Sequence, residues 1–327
     1  MSAILTADTH WNDNPRDELR WGLLTWLAEQ QADELIILGD LTQAKNNHPA
    51  RMVNRLIDAF MTLTTVYKKI YILKGNHDYI DPNCPFFGFL NHFSENIIFI
   101  LMPMILDLTI GQRVFMPAGT DWIDNVGLIE GKSVFAHVTF DGAVSESGFQ
   151  LTGVDPNIVL EAGATVISGD IHKRQVVAGG AIEYVGAPYH INFGDDYIPR
   201  ILLINDDGSR VNLHYPSPAK HTQIIKSLDE LYRIKIKPGD QIKIIAQLRR
   251  ADLPEWKSWR DAIKEQAETE GWQLFGPELR LQSDTAPDKA SVTTHLSNNE
   301  LVRDYALRQS VGEDYITVGQ ELLNSTR

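Results

Sequence analysis

The sequence predicts an α/β fold with two packed sheets, and three observations carry that expectation. Apolar runs of strand length alternate with amphipathic helical segments in the first part of the chain. Strand–helix–strand–helix–strand order implies parallel pairing with right-handed crossovers. A later stretch holds many more short apolar runs, enough for a second sheet. The runs also end, again and again, in Asp, Asn or His, and in open α/β folds ligands gather beyond the carboxyl ends of strands.

The first run, Ala3-Ile4-Leu5-Thr6-Ala7, reads as a buried strand that delivers Asp8 and His10. Pro15 to Gln31 reads as a helix: Leu19, Leu23, Leu24 and Leu27 share one stripe, and Pro15, Asp17 and Glu18 suit a first turn. Leu35-Ile36-Ile37-Leu38 is a second strand ending at Gly39-Asp40, followed by a helix from Pro49 to Leu63 with Val53, Leu56, Ile57 and Phe60 on its apolar face. The third strand, Ile70 to Leu73, stops at Gly75-Asn76-His77-Asp78. Short apolar runs follow near 97–101, 105–110, 113–116 and 133–136, the last reaching His137. Thr165 to Ser168 leads into Gly169-Asp170-Ile171-His172, and runs at 182–185, 200–204 and 210–214 close the domain, with an Asp206-Asp207-Gly208 turn between the last two.

Pro216-Ser217-Pro218 marks a boundary. Beyond it, 231–237 and 241–248 predict a hairpin around Pro238-Gly239-Asp240, then a helix over 254–270 and a strand over 272–282. Residues 283–294 read as a linker. Ser297 and Glu300 form a capping box stapled by Leu296 and Leu301, and a second short helix starts near Gly312. The expected division is 1–218, 219–283 and 284–327.

With 327 residues, 43% of them hydrophobic, the chain can bury a large core. Its single cysteine, Cys84, excludes a disulfide framework within one chain and accords with a reducing cytoplasm. The N-terminus lacks the pattern of a signal peptide, and the most apolar run, Ile97 to Leu106, is broken by Pro103 and too short to span a bilayer. A soluble protein with no membrane partner is expected. The net charge of −13 argues against nucleic acid as partner, but it is unevenly spread: residues 1–216 carry −12, whereas 231–264 carry +5. That basic stretch is either a DNA contact or a solvated surface.

The chemistry follows from the strand ends. Asp8 and His10 lie two apart on extended chain, so their side chains leave on one side and can share a cation. Asp40 has two carboxylate oxygens and can bridge two cations. We assign Asp8, His10, Asp40 and His172 to one metal, and Asp40, Asn76, His137 and Asp170 to the other. This mixture of imidazole, carboxylate and amide favours Mn²⁺, Fe²⁺ or Zn²⁺ over Ca²⁺, with Mn²⁺ first and Mg²⁺ also compatible. Two adjacent cations suit an in-line displacement at phosphorus. His77 is the candidate catalytic residue, able to stabilise the phosphoryl oxygens or to protonate the leaving oxygen, with Asp78 expected to hold it in one tautomer. His92, His190, His214 and His295 read as structural, Trp256, Trp259 and Trp272 as core, and Lys173 and Arg174 as either phosphate contacts or a solvated turn.

These residues, in this order, resemble the calcineurin-like metallophosphoesterase superfamily: Asp-x-His, Gly-Asp, Gly-Asn-His-Asp, a lone His, then a Gly-x-x-His that departs from the usual pattern in having Asp170 where a His is usual. The resemblance covers about residues 1–205 and implies a four-layer α/β/β/α sandwich with a dinuclear metal centre. Within the superfamily, Gly169-Asp170-Ile171-His172-Lys173 with Tyr184-Val185-Gly186-Ala187-Pro188-Tyr189 and Phe193-Gly194-Asp195 is similar to SbcD-type DNA-repair nucleases. That similarity implies DNA as substrate, a capping module after the catalytic domain, C-terminal helices that dock on an SMC-like ATPase, and a homodimer. The compact length looks like viral or bacterial members. Two alternatives stand beside the nuclease. One is a phosphomonoesterase or small-molecule phosphodiesterase, which the acidic catalytic domain favours. The other is a scaffolding subunit with a weakened metal site, for which Asp170 is the sole support.

Overall fold

The structure, a computed structural model, describes residues 1–282. The expected linker and the helices from Ser297 and Gly312 lie outside the described residues. Two six-stranded sheets dominate. The first is built from β1 (Ser2–Thr6), β2 (Glu34–Ile37), β3 (Lys69–Leu73) and β4 (Ile97–Ile100), all parallel, with β11 (Ile201–Asn205) antiparallel beside β1 and β12 (Arg210–Leu213) at the edge. In the second, β6 (Gly111–Met116), β7 (Ser133–His137), β8 (Thr165–Gly169) and β10 (Ile182–Tyr184) run parallel, and β5 (Met104–Leu108) and β9 (Gln175–Val177) are antiparallel edges.

The period of two along each strand sorts the side chains into three cores. Ile4, Leu35, Ile37, Ile70 and Ile72 face outward onto Leu23, Leu24 and Leu27 of α1 (Gly22–Ala28) and Met52, Leu56 and Phe60 of α2 (Ala50–Leu63). Their neighbours Ala3, Leu5, Ile36, Leu38, Tyr71 and Leu73 face the other way, onto Phe115, Phe135 and Ile167 of the second sheet and onto Val185, which follows β10. Val114, Val134, Ala136, Val166 and Ile182 cover that sheet's far side, against Ile129 of α3 (Val126–Ile129) and Val159 of α4 (Asn157–Glu161). Three cores between successive layers give the α/β/β/α sandwich. Strands buried on both faces read as continuous apolar runs, which is why they were visible in the sequence.

Two expectations are corrected. The first helix begins as a 3-10 helix, Pro15–Trp21, with Asn14 accepting from the Arg16 N–H. A 3-10 helix turns more per residue than an α-helix, so Leu19 leaves the stripe and is 42% exposed, while Arg20 and Trp21 turn inward. Beyond residue 218 there is no hairpin over 231–248. β13 (Lys220–Ile225) pairs in parallel with β14 (Gln241–Leu248), crossing over through α5 (Leu228–Leu231), and β15 (Gln273–Leu281) lies on the other side of β14. Ser227 caps α5 by accepting from the Glu230 N–H, and Leu231 and Ile234 are buried one helical turn apart. The Ile-Lys alternation at 234–237 imitates a strand but follows a helix. α6 (Trp256–Glu270) buries Trp259, Ile263 and Ala267, and Trp272 is also buried.

The described residues divide into two compact units, Met1–Ala246 with Trp256–Leu279, and Gln247–Glu255 with residues 280–282. No helix among the described residues is long and apolar enough to cross a membrane.

Candidate metal centre

The parallel register brings the loops after β1, β2 and β3 to one level of the first sheet, and those after β7 and β8 to the facing level of the second. Thr6 pairs with Ile37, Ile37 with Ile72, and His137 with Gly169. Asp8, His10, Asp40, Asp78 and His137 are buried there, His77, Asp170 and His172 are half-buried, and Asn76 is exposed. The chain reaches this packing through unusual backbone. Asp8, His10, Asp40 and Asp170 all have positive φ, 53°, 44°, 55° and 84°, a conformation that costs a non-glycine residue about 1–3 kcal/mol. Gly75 is required for a different reason: a Cβ there would lie 2.2 Å from the Asp40 nitrogen.

The donors form overlapping groups. Asp8, His10 and His172 make one, Asp8, Asp40 and His137 another, and His10, Asp40 and His77 a third, each with ligand atoms within 4.8 Å of one another. Asp40 spans them. Its Oδ2 lies 3.5 Å from His10 Nε2, and its Oδ1 lies 3.3 Å from His137 Nε2. The Nε2 atoms of His10 and His172 face each other at 3.1 Å.

This cluster is left unsatisfied by the protein alone. Asp8 Oδ2, His10 Nδ1, His137 Nε2 and His172 Nδ1 are buried without a hydrogen-bond partner, although buried polar atoms nearly always have one. Burial, and then the charges of Asp40 and Asp170, push the Asp8 carboxyl well above its usual range. Burial, with His172 and His77 alongside, holds the His10 imidazole well below its own, and burial likewise lowers His172. Burial opposes charge on His137 too, but Asp40, Asp170 and Asp8 together outweigh it and raise the group to about 9. Carboxylates crowding carboxylates, and imidazoles crowding imidazoles, suit divalent cations, which require ionised Asp and neutral His. The residues fit such ions.

Surrounding contacts hold the donors in place. His137 Nδ1 donates to the Leu38 carbonyl at 2.6 Å, leaving Nε2 free to ligate. Asp170 donates its N–H to Asp8 Oδ1 at 3.0 Å and accepts from Asn76 Nδ2 at 2.9 Å and from the Thr139 hydroxyl. Its Oδ1 is 3.7 Å from His137 Nε2. Glu146 accepts from the His172 N–H at 2.9 Å and lies 3.5 Å from its Nδ1. Buried Arg20 donates to the carbonyls of His10 and Ile191 at 3.1 and 2.6 Å.

The expected pairing of Asp78 with His77 is not formed. His77 Nδ1 meets the Gln43 carbonyl at 2.9 Å; a carbonyl only accepts, so this nitrogen carries the proton. The Asp78 carboxylate turns the opposite way and accepts from the N–H groups of Gly75, Asp40 and Leu41 at 2.7, 3.1 and 2.9 Å. Burial, then the charge of Asp40, raise Asp78 to about 6. Adjacent side chains on a tight turn diverge, which is why adjacency in sequence misled. Glu146, Thr139, Gln43 and Arg20 were missed. Thr139 follows His137 closely enough to have been considered, whereas Glu146 sits in an irregular loop with no pattern to mark it.

The profile of the calcineurin-like phosphoesterase family matches residues 1–174. Comparison with curated protein sequences gives no match. Among solved structures, the chain is similar to the Pseudomonas putida nuclease MPE, at 18% identity and a TM-score of 0.34, covering 64% of this chain and 87% of that one. It is also similar to wild-type Vps29 complexed with Zn²⁺ from Entamoeba histolytica, at 14% identity and a TM-score of 0.32, covering 65% and 99%. The profile match spans more than half of the chain and contains the whole donor cluster, so the chain belongs to the calcineurin-like phosphoesterase family of metal-dependent hydrolases.

Proposed function

We propose that the chain is a dinuclear metal-dependent phosphodiesterase acting on DNA, a nuclease subunit that works with an SMC-like ATPase. The observation that carries the phosphodiesterase reading is the position of Asp40, one carboxylate oxygen toward His10 and the other toward His137. One cation would take Asp8, His10, Asp40 and His172; the second would take Asp40, Asn76, His137 and Asp170, with Mn²⁺ the expected ion. Bound cations supply Lewis-acid polarisation of the phosphate ester and activation of water. The protein's own part is positional. The His77 N–H, 2.8 Å from Asp40 Oδ1, fixes the carboxylate that spans the two sites. With its Nδ1–H committed to Gln43, the half-exposed His77 ring would, in its doubly protonated form, give the Nε2 proton to the leaving oxygen and remain as the neutral Nδ1–H tautomer.

The nuclease reading is supported by the 184–195 run. Its tyrosines brace the donor loops: Tyr184 Oη accepts from the Phe140 N–H at 2.8 Å, the Ala187 N–H donates to the His172 carbonyl at 2.9 Å, and Tyr189 donates to the Thr9 carbonyl between Asp8 and His10. The residues that resemble the repair nucleases therefore sit against the donors. In this reading residues 219–283 contact DNA, the segment from 284 docks on the ATPase, and the protein acts as a cytoplasmic homodimer.

A phosphomonoesterase is the second reading, favoured by the −12 charge of residues 1–216. The two separate in a cleavage assay with Mn²⁺ on linear double-stranded DNA, single-stranded DNA and an aryl phosphomonoester. DNA cleavage with little monoester turnover is expected, and monoester turnover with intact DNA would refute the nuclease. His77→Ala should lower DNA cleavage at least a hundredfold, at the lower end for a general acid, with bound Mn²⁺ unchanged by elemental analysis. A parallel loss of Mn²⁺ would make His77 a ligand instead.

A further inference from the structure

A cavity of about 450 Å³ is lined by Lys173, Arg174, Asp196, Tyr197, Arg200 and His214 among others. Its lining includes the residue after His172 and the segment after Phe193-Gly194-Asp195. Its lining is basic in a chain of net charge −13. The cations have different partners. Lys173 is tied to the exposed Asp196 at 2.9 Å. Arg200 is buried and held by Glu183 at 2.8 Å and by the Val185 and Tyr184 carbonyls. Arg174 is exposed and has no hydrogen bond or ion pair among the described residues, yet its charge acts on Arg200. His214 donates through Nδ1 to the Pro199 carbonyl, leaving Nε2 toward solvent.

Asp196 and Glu183 neutralise Lys173 and Arg200, which leaves Arg174 as the cation of this lining without an anionic partner among the described residues. The hollow exceeds the volume of a single phosphate, and the groups lining it are those that bind phosphate oxygens. We propose that this cavity holds a second phosphate of the substrate strand, beyond the one being cleaved, with Arg174 as its principal contact. The inference rests on the phosphodiesterase reading above and gives it a length requirement: a strand engages both the donor cluster and the cavity, whereas a single-phosphate ester reaches the donor cluster alone. It also reconciles an acidic catalytic domain with a polyanionic substrate, because the basic cavity is local to the strand's path.

The test measures kcat/KM, with Mn²⁺, for three substrates: bis(4-nitrophenyl) phosphate, a short DNA oligonucleotide, and the same oligonucleotide with neutral methylphosphonates flanking the cleaved linkage. For the wild-type chain, neutralisation should lower kcat/KM about tenfold, the weight of one charge-assisted contact at a solvent-exposed site. For Arg174→Ala, the ratio of oligonucleotide to bis(4-nitrophenyl) phosphate should fall by the same factor, through KM, and neutralisation should then have little further effect. Arg174→Glu should lower the ratio further. Arg174 is exposed, so folding is expected to survive; thermal unfolding of each variant checks this. Equal sensitivity to neutralisation in the wild type and Arg174→Ala would overturn the cavity while leaving the nuclease standing. Turnover of bis(4-nitrophenyl) phosphate with no cleavage of the oligonucleotide would overturn both.

Discussion

Asp78→Asn is the substitution that separates a structural staple from a catalytic group. In the folded chain Asp78 Oδ2 accepts two N–H groups, from Gly75 and Asp40, and Oδ1 accepts one, from Leu41. An asparagine of the same shape keeps its oxygen on two of them and turns an NH₂ toward the third. The N–H left facing a donor costs about 1–3 kcal/mol, and the two retained bonds lose their charge assistance, about 0.5–1.5 kcal/mol each. Against this, the variant no longer buries an ionised carboxylate. That group stands at about 6 against an ordinary 3.8, so above pH 7 its removal returns about 3 kcal/mol. The central values of these terms leave a net loss of about 1 kcal/mol, or roughly 2–4 °C in Tm. The larger effect is on Asp40, whose left-handed backbone is pinned by two of the three bonds. A donor displaced by about 1 Å can cost on the order of a hundredfold in rate. Thermal unfolding and bis(4-nitrophenyl) phosphate turnover, measured across pH with Mn²⁺, read both. Unaltered Tm with a displaced pH–rate profile would mean that Asp78 governs His77 after all, and would refute the staple.

Glu146→Gln keeps an acceptor for the His172 N–H but removes the charge behind its ring; Mn²⁺ affinity by calorimetric titration should weaken about tenfold, and an unchanged Kd would dismiss Glu146 as a support. Asp17 is held below its ordinary range despite burial, because Arg20 and then Lys220 stand beside it at 3.1 and 2.8 Å. A depressed carboxylate contributes stability that is present above its unfolded value, about 3.9, and is lost as pH falls through the folded one. Asp17→Asn should therefore be less stable than the wild type at pH 7 in urea, and the gap should close below about pH 4. A gap of the same size at both pH values would contradict the ion-pair argument.

Much of this architecture was legible because it is local. Each central strand is a run buried on both faces and stopped by a polar residue, so both the strand and its donor can be read within a few positions. The misreadings have local causes too. Leu19 fits an α-helical stripe, and only the tighter 3-10 turn removes it. Ile234 to Lys237 alternate like a strand, whereas the Ser227 and Glu230 pair, which does mark the helix start, was overlooked. What could not be read is contact between distant segments. Glu146 meets His172, Gln43 meets His77 and Arg20 meets His10 only after both sheets have assembled.

The site divides its residues into those under strain and those that enforce it. Asp8, His10, Asp40 and Asp170 combine left-handed backbone with the most crowded charges in the chain. None of these features helps a cation-free protein fold. Their neighbours carry the opposite character: Asp78 on three backbone N–H groups, the Leu38 carbonyl on His137, Arg20 and Tyr189 on the carbonyls around His10, and Thr139 on Asp170 are paired and mostly buried. Such supports hold the donors in a geometry that the donors alone would leave. Asp170 illustrates the arrangement. Its carboxylate adds a further negative charge near Asp8 and Asp40, yet both oxygens are held by Asn76 and Thr139 and its N–H is spent on Asp8. A histidine there would bring a neutral donor but could not accept both bonds through one group. The departure from the family pattern is thus matched by its own hydrogen-bond partners.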